Sequence, residues 1–316
     1  MRPKDRNLAH ELYEGLHSFH EKKRLLPGIE APENRETFLE QLVESIHRVK
    51  YVSVFRERPL SDLRADPSSD LFNPLKAAVL RQRQGQIDEA FWLVFLFVHF
   101  GKNARAGWRY AREVYGRLGH KTPWNWARTS ADPAGFRRWL AAHQDILKRK
   151  GLARGFGNHR KYQSLDAYSP TGTGAAVESY VRWVRPPRTH QMLVQEAQEQ
   201  VGSDPRKTFD QLYRSMDDVV TFGRLARFDY LTMVGKLGLA RIEPGSTYMQ
   251  DATGPLSGAR LLFGGNTAAA LRHSDLDAWL VQLDADLKIG DFGMQVLEDA
   301  LCNWEKSPGN FKPFRG

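Results

Sequence analysis

The chain has 316 residues, with 46 Lys plus Arg against 37 Asp plus Glu, a formal net charge of +9, and 41% apolar residues. That length suits one large domain or two modest ones, and the basic balance points to a polyanion, most often nucleic acid. The single cysteine, Cys302, excludes an intrachain disulfide and a cysteine-built zinc site, and it fits a reducing cytoplasm.

The N-terminus, MRPKDRNLAHELYEG, is charged and lacks the apolar core of a signal peptide. Residues 8–23 predict a short amphipathic helix carrying His17 and His20, and LLPGIEAPEN (25–34) a turn-rich break. Phe38, Leu39, Leu42, Val43, Ile46, Val49 and Val52 recur at three- and four-residue steps. This spacing predicts one face of a helix of about five turns. Residues 56–70 read as a loop holding Pro59 and Pro67, and residues 72–84 as a helix with Gly85 as its C-cap.

The longest apolar run, Ala90 to Phe100 (AFWLVFLFVHF), is too short for a bilayer and reads as a helix buried in the core. Residues 104–119 predict a helix with a basic side made by Arg105, Arg109, Arg112 and Arg117. Asp132 before Pro133 is a helix start, as is Asp204 before Pro205. KRKGLARGFGNHRKY (148–162) is the densest basic stretch. Its glycines admit a phosphate, its cations neutralise it, and Phe156 and Tyr162 offer rings to bases. Arg154, Asn158, His159, Arg160 and Lys161 are its candidate DNA contacts. The RPPR segment at 185–188 suggests a hinge, hence two helical lobes around a cleft, 1–185 and 186–316. Nearly every segment reads as helix, so the fold class is all-α.

Residues 222–277 concentrate turns and charges. Arg224 and Arg227 lie three residues apart, with Asp229 close by. The choice there is between a buried Arg–Asp brace and contact of Arg224 or Asp229 with a ligand. Lys236 follows on the same helix, a nucleophile if buried and otherwise an ordinary surface lysine. Gln250 and Asp251 offer a donor–acceptor pair to a base edge, or else Asp251 caps a turn. Gly254, Pro255 and Gly258 open a helix carrying Arg260, whose free amides suit a phosphate. Ser274 and Asp277 fit a capping box, which places Asp275 in a first helical turn as dipole partner or as catalytic carboxylate. In the last helix Glu298 lies beside apolar residues, an acid if its pKa is raised.

FGRLARFDYL, KLGLARIEPGSTYMQDATGPLSGARLLFGG and VLEDALCNW, with LVESIHRVKYV, SDLFNPLKAA and FLFVHFGK, resemble the alpha-glutamyl/putrescinyl-thymine pyrophosphorylase-like family, third clade. The resemblance covers nearly the whole chain. It implies kinship with helix-hairpin-helix DNA glycosylases and with bacterial antiphage enzymes that excise glucosylated hydroxymethylcytosine. On that basis the hairpin maps to Gly254–Phe263 and the catalytic aspartate to Asp275, with Asp251 and Glu298 as rivals. Ser257 stands where bifunctional glycosylases carry lysine, which implies a monofunctional enzyme. Tyr248 is the candidate pocket ring. The expected activity is flipping and excision of a modified base from double-stranded phage DNA, leaving abasic sites. A monomer is expected, with no metal or cofactor and no membrane. The alternatives are a transferase that hypermodifies an activated thymine and a DNA binder without chemistry.

Overall fold

A computed structural model describes residues 2–149 and 153–313. Those residues form fourteen α-helices and six single-turn 3-10 segments, with no strands. The chain divides into two compact units, Met1–Ser53 with Glu243–Gly316, and Val54–Ile242. The division at 185/186 expected from RPPR falls inside the second unit. There Arg188 donates to the carbonyls of Val184 (2.7 Å) and Trp183 (2.5 Å) and pairs with Glu196. No helix among the described residues is long and apolar enough to cross a membrane.

The first unit holds α1 (Arg6–Lys22) and most of α2 (Pro32–Glu57). The apolar face expected for α2 is the buried one. Leu12, Leu16 and Phe19 of α1 and Phe38, Leu42, Val43 and Ile46 of α2 enter one core.

The second unit runs from α3 (Pro74–Arg83) and α4 (Ile87–Phe100) through α5 (Arg109–Tyr115), α6 (Trp126–Ala131) and α7 (Pro133–Lys148). It continues with α8 (Thr173–Val184), α9 (His190–Val201), α10 (Pro205–Ser215) and α11 (Arg224–Lys236). Asp132 and Asp204 cap α7 and α10, accepting from Gly135 N–H (2.7 Å) and from Arg206 and Lys207 N–H (2.8 and 3.0 Å). Gly85 takes a positive φ just past α3. The apolar run is α4, buried from Ala90 to Phe100 except Phe97.

Helix α5 starts five residues later than its pattern suggested. Asn103 and Gly107 exchange backbone hydrogen bonds (2.9 Å each), and Asn103 Oδ1 accepts from the N–H of Arg105 (3.0 Å) and Ala106 (2.9 Å). An asparagine that satisfies two backbone donors in a turn competes with the helix and wins here.

A buried polar chain ties four helices of this unit together. Asp88 accepts from His190 Nδ1 (2.6 Å) and from the His190 backbone N–H (2.7 Å). Burial lowers the His190 pKa, so the ring is neutral and its Nε2 accepts from the Tyr180 hydroxyl (2.7 Å). The Tyr180 oxygen then accepts from Tyr230 (2.8 Å) on α11. Each buried group has its partner, which fixes the roll of α11.

The chain returns to the first unit with α12 (Gly254–Gly264), α13 (His273–Leu287) and α14 (Gly293–Trp304).

Candidate functional site

The site is built on the C-terminal end of α4. The last four carbonyls of a helix have no intrahelical donor. Phe97 accepts from Gly101 N–H (3.1 Å), Phe100 from Gly157 N–H (2.8 Å), and Val98 from Arg160 Nε (2.9 Å). The basic loop therefore caps α4, with its cation at the negative end of the helix dipole. Glycine is required for the approach. A Cβ on Gly157 would lie 2.8 Å from the Gly101 carbonyl carbon, and Gly101 itself has φ +61°.

Capping buries Arg160 and directs its other arm to Asp229 Oδ2 (3.3 Å) on α11. Asp229 keeps 36% of its side-chain surface, so its carboxylate reaches solvent; with the basic side chains around it, we call it the Asp229 recess. Burial is the largest influence on it and raises its pKa. The charges of Arg160, His159, Arg224 and Lys236 pull in the opposite direction. One carboxylate thus stands among four basic side chains. Arg224 is buried, with its guanidinium 5.2 Å from the Phe228 ring. Lys236, expected at the surface, is 3% exposed.

His99 is buried in the last turn of α4. Its Nε2 is 3.0 Å from Thr173 Oγ1, and that hydroxyl donates its only proton to the Ser164 carbonyl (2.7 Å). His99 Nε2 is therefore the donor. Its Nδ1 is buried with no hydrogen-bond partner. Burial first, and then the charge of Arg160, depress the His99 pKa to about 3, so the ring is neutral.

The second unit brings Arg224, Asp229, His159 and Arg160 together. The Arg–Asp brace exists, but its arginine is Arg160 rather than Arg224. Arg227 pairs instead with Asp217 (2.7 Å). Arg154 is not a free phosphate contact: its side chain is 8% exposed and it grips Glu113 at 2.8 and 3.2 Å. Asn158 and Lys161 are exposed. Phe156 is packed against Phe100 (5.5 Å) and Tyr110 (5.4 Å), whereas Tyr162 is 88% exposed. Lys150 and Gly151 lie outside the described residues.

The remaining candidates belong to the other unit. Asp275 takes both Nε and Nη2 of Arg272 (2.9 Å each) on the surface of α13. Asp251 and Gln250 are exposed in a loop where Tyr248 (φ 50°) and Asp251 (φ 60°) have left-handed backbones. Glu298 is buried on α14. Ser274 is not a cap, because α13 begins at His273 without a side-chain cap. Asp277 folds the preceding loop instead, accepting from Ser246 Oγ (2.8 Å), Thr247 Oγ1 (2.7 Å) and Met249 N–H (3.1 Å). The glycines expected to grip DNA have a packing use. A Cβ on Gly258 would sit 2.3 Å from the Leu301 carbonyl oxygen of α14, and one on Gly254 would sit 2.8 Å from Cys302 Sγ. Arg260 is half-buried on the same helix.

Sequence reasoning missed His99, Thr173 and the Asp88–His190–Tyr180 chain. His99 and Thr173 lie 74 residues apart and Asp88 and His190 lie 102 apart, and no local spacing reveals such pairs. Among the described residues no three His, Cys, Asp or Glu side chains are placed to hold a metal.

The family model for alpha-glutamyl/putrescinyl thymine pyrophosphorylase, clade 3, matches residues 33–316. The chain belongs to this family. The match spans both units and takes in every residue of the Asp229 recess. No curated protein and no solved structure matches the chain.

Proposed function

We propose that the protein excises a modified base from DNA at the Asp229 recess. The observation that supports this reading most is that the charged groups acting on Asp229 are all basic. In N-glycosidic hydrolysis the C1′–N bond breaks, its electron pair leaves with the base, and water adds to C1′. An ionised carboxylate stabilises the oxocarbenium-like sugar and takes the water's proton, while fixed cations meet the charge developing on the base. Asp229 supplies the carboxylate. Arg160, Arg224 and Lys236 supply the cations. The exposed Tyr162 ring, beside Lys161, offers a stacking surface for single-stranded or flipped nucleotides. Modified phage DNA is the substrate we assign, with defence against phage as the setting.

The family name supports a second reading, displacement of pyrophosphate from an activated thymine by an amine. The same cations suit the departing pyrophosphate. They repel a free diamine at the reacting carboxylate, and for that reason excision is placed first.

The test is incubation with DNA carrying glucosylated hydroxymethylcytosine or pyrophosphorylated hydroxymethyluracil, each with and without putrescine or glutamate as the amine, read by mass spectrometry. Excision predicts free base and abasic sites. A new base mass with an intact sugar–base bond, together with released pyrophosphate, would select the transferase. An unaltered substrate in every case would remove both.

A further inference from the structure

Beside the capped end of α4, still in the second unit, lies a cleft of about 480 Å³ that the Asp229 chemistry does not use. Its lining includes Arg64, Lys102, Arg105, Trp108, Arg109 and Arg112, with one carboxylate, Asp70. Three of the cations are already engaged. Arg112 pairs with Asp70, Arg109 donates to Glu113 (2.7 Å), and Arg64 donates to the Leu71 carbonyl (3.1 Å). Lys102 and Arg105 are exposed, and neither side chain has a partner among the described residues. The Trp108 indole N–H is buried without an acceptor, its ring packed on Phe97 (4.9 Å).

The three unengaged groups named here, Lys102, Arg105 and Trp108, are donors. They call for a ligand that is rich in acceptors and negative, and a phosphate meets both needs. The lining is also rigid. The Asn103–Gly107 exchange and the Asn103 turn hold Lys102 and Arg105 on a tight loop. Asn103 Nδ2 donates to the Phe156 carbonyl (3.0 Å), and Glu113 is shared by Arg109 and Arg154. The cleft is therefore braced to the loop that delivers His159 and Arg160 to Asp229.

We propose that this cleft is a second anion site, which holds a backbone phosphate of the nucleic-acid strand whose modified nucleotide occupies the Asp229 recess. The proposal rests on the reading of the protein as DNA-acting. It adds a positioning contact that reads no base and sets the register of the strand. Such a contact acts through charge and released counterions, so it has a thermodynamic signature.

The experiment is fluorescence anisotropy of the full chain with an unmodified oligonucleotide, across a series of salt concentrations. Lys102→Gln/Arg105→Gln weakens binding on the order of tenfold at moderate salt and makes the log–log salt slope shallower by about one, for the one phosphate whose contact is lost. Trp108→Phe keeps an aromatic ring at the position and loses the donor, weakening binding by about threefold with the slope unchanged. A control, Lys207→Gln/Arg214→Gln on the exposed face of α10, stays near wild type.

Wild-type binding that is strongly salt-dependent but insensitive to Lys102→Gln/Arg105→Gln overturns the cleft and leaves the DNA reading standing. An equal loss in the α10 control also overturns it, because the effect is then general charge. Failure of the wild type to bind DNA removes the DNA reading and the cleft with it. Inorganic pyrophosphate that raises the melting temperature through Lys102 and Arg105, with DNA affinity unaffected by the double variant, makes the cleft a free-anion site and overturns the strand assignment.

Discussion

Arg160→Met separates the structural use of the basic loop from its chemical use. Methionine keeps the aliphatic stem beside Gly101 and deletes the guanidinium. The Val98 carbonyl then loses its donor at the buried end of α4. An orphaned buried acceptor costs about 1–3 kcal/mol. Removing a cation from a helix C-terminus adds about 0.3–1 kcal/mol. The Asp229 contact adds little, because at 3.3 Å to a carboxylate that keeps a third of its surface it is a long and solvated pair. The expected loss is about 2–3 kcal/mol, or about 4–10 °C in melting temperature for a unit of this size. The second effect is on Asp229. Arg160 is the largest charge holding its pKa down, so in the variant that pKa climbs further above the ordinary carboxylate range. The acid limb of a pH–rate profile for base release moves to higher pH, and Arg160→Lys restores part of that limb without restoring the lost hydrogen-bond geometry. Thermal melts and the pH–rate profile are the assays. A melting temperature within about 1 °C of wild type, with the acid limb in place, would refute both the capping role and the charge coupling.

Other substitutions probe separate parts of the account. Gly258→Ala drives a Cβ toward the Leu301 carbonyl and destabilises the first unit by about 1–3 kcal/mol on denaturant titration. Lost DNA affinity at unchanged stability would mean that this glycine grips DNA after all. Tyr180→Phe strips the hydroxyl between His190 and Tyr230 and leaves two buried groups short of a partner, at a cost of about 2 kcal/mol or more. A neutral result would mean that the chain does not fix α11. Stability falls with acid through the histidines. His99, with its pKa depressed to about 3, and His190, also depressed, stay neutral in the fold while the unfolded chain protonates. Their contribution is complete above about pH 6.5 and is lost below it, at up to about 1.4 kcal/mol per pH unit for each ring. Asp229, with a raised pKa, acts with the opposite sign over the carboxylate range only. Urea midpoints at pH 7.5, 6 and 5 check the net trend, and a midpoint rising toward acid would contradict it.

The helices were legible where local rules decide. Three- and four-residue spacing marked α2, an unbroken apolar run marked α4, and aspartate before proline marked the starts of α7 and α10. The family was legible in long motifs that match residues 33–316. Pairings across sequence were not legible. Arg224 and Arg227 both looked like partners for Asp229 because they stand nearby in the chain, yet the partner is Arg160, 69 residues away. Gly254 and Gly258 carry the glycine-and-proline signal of a phosphate-binding helix start, and the same signal serves two helices that must pack closely. Asp277 matched a capping box three residues after Ser274, but three donors from residues 246 to 249 compete for its oxygens. A carboxylate's role depends on which donors the fold delivers to it, and local spacing does not encode that.

The central claim is that the reaction takes place at the Asp229 recess. Asp229→Asn and Asp275→Asn, compared on one modified-base DNA under single-turnover conditions, test it most directly. The account predicts that Asp229→Asn lowers base release by about 100-fold or more while DNA is still bound, and that Asp275→Asn, which only frees Arg272, retains the wild-type rate. Full release by Asp229→Asn with loss in Asp275→Asn would contradict it.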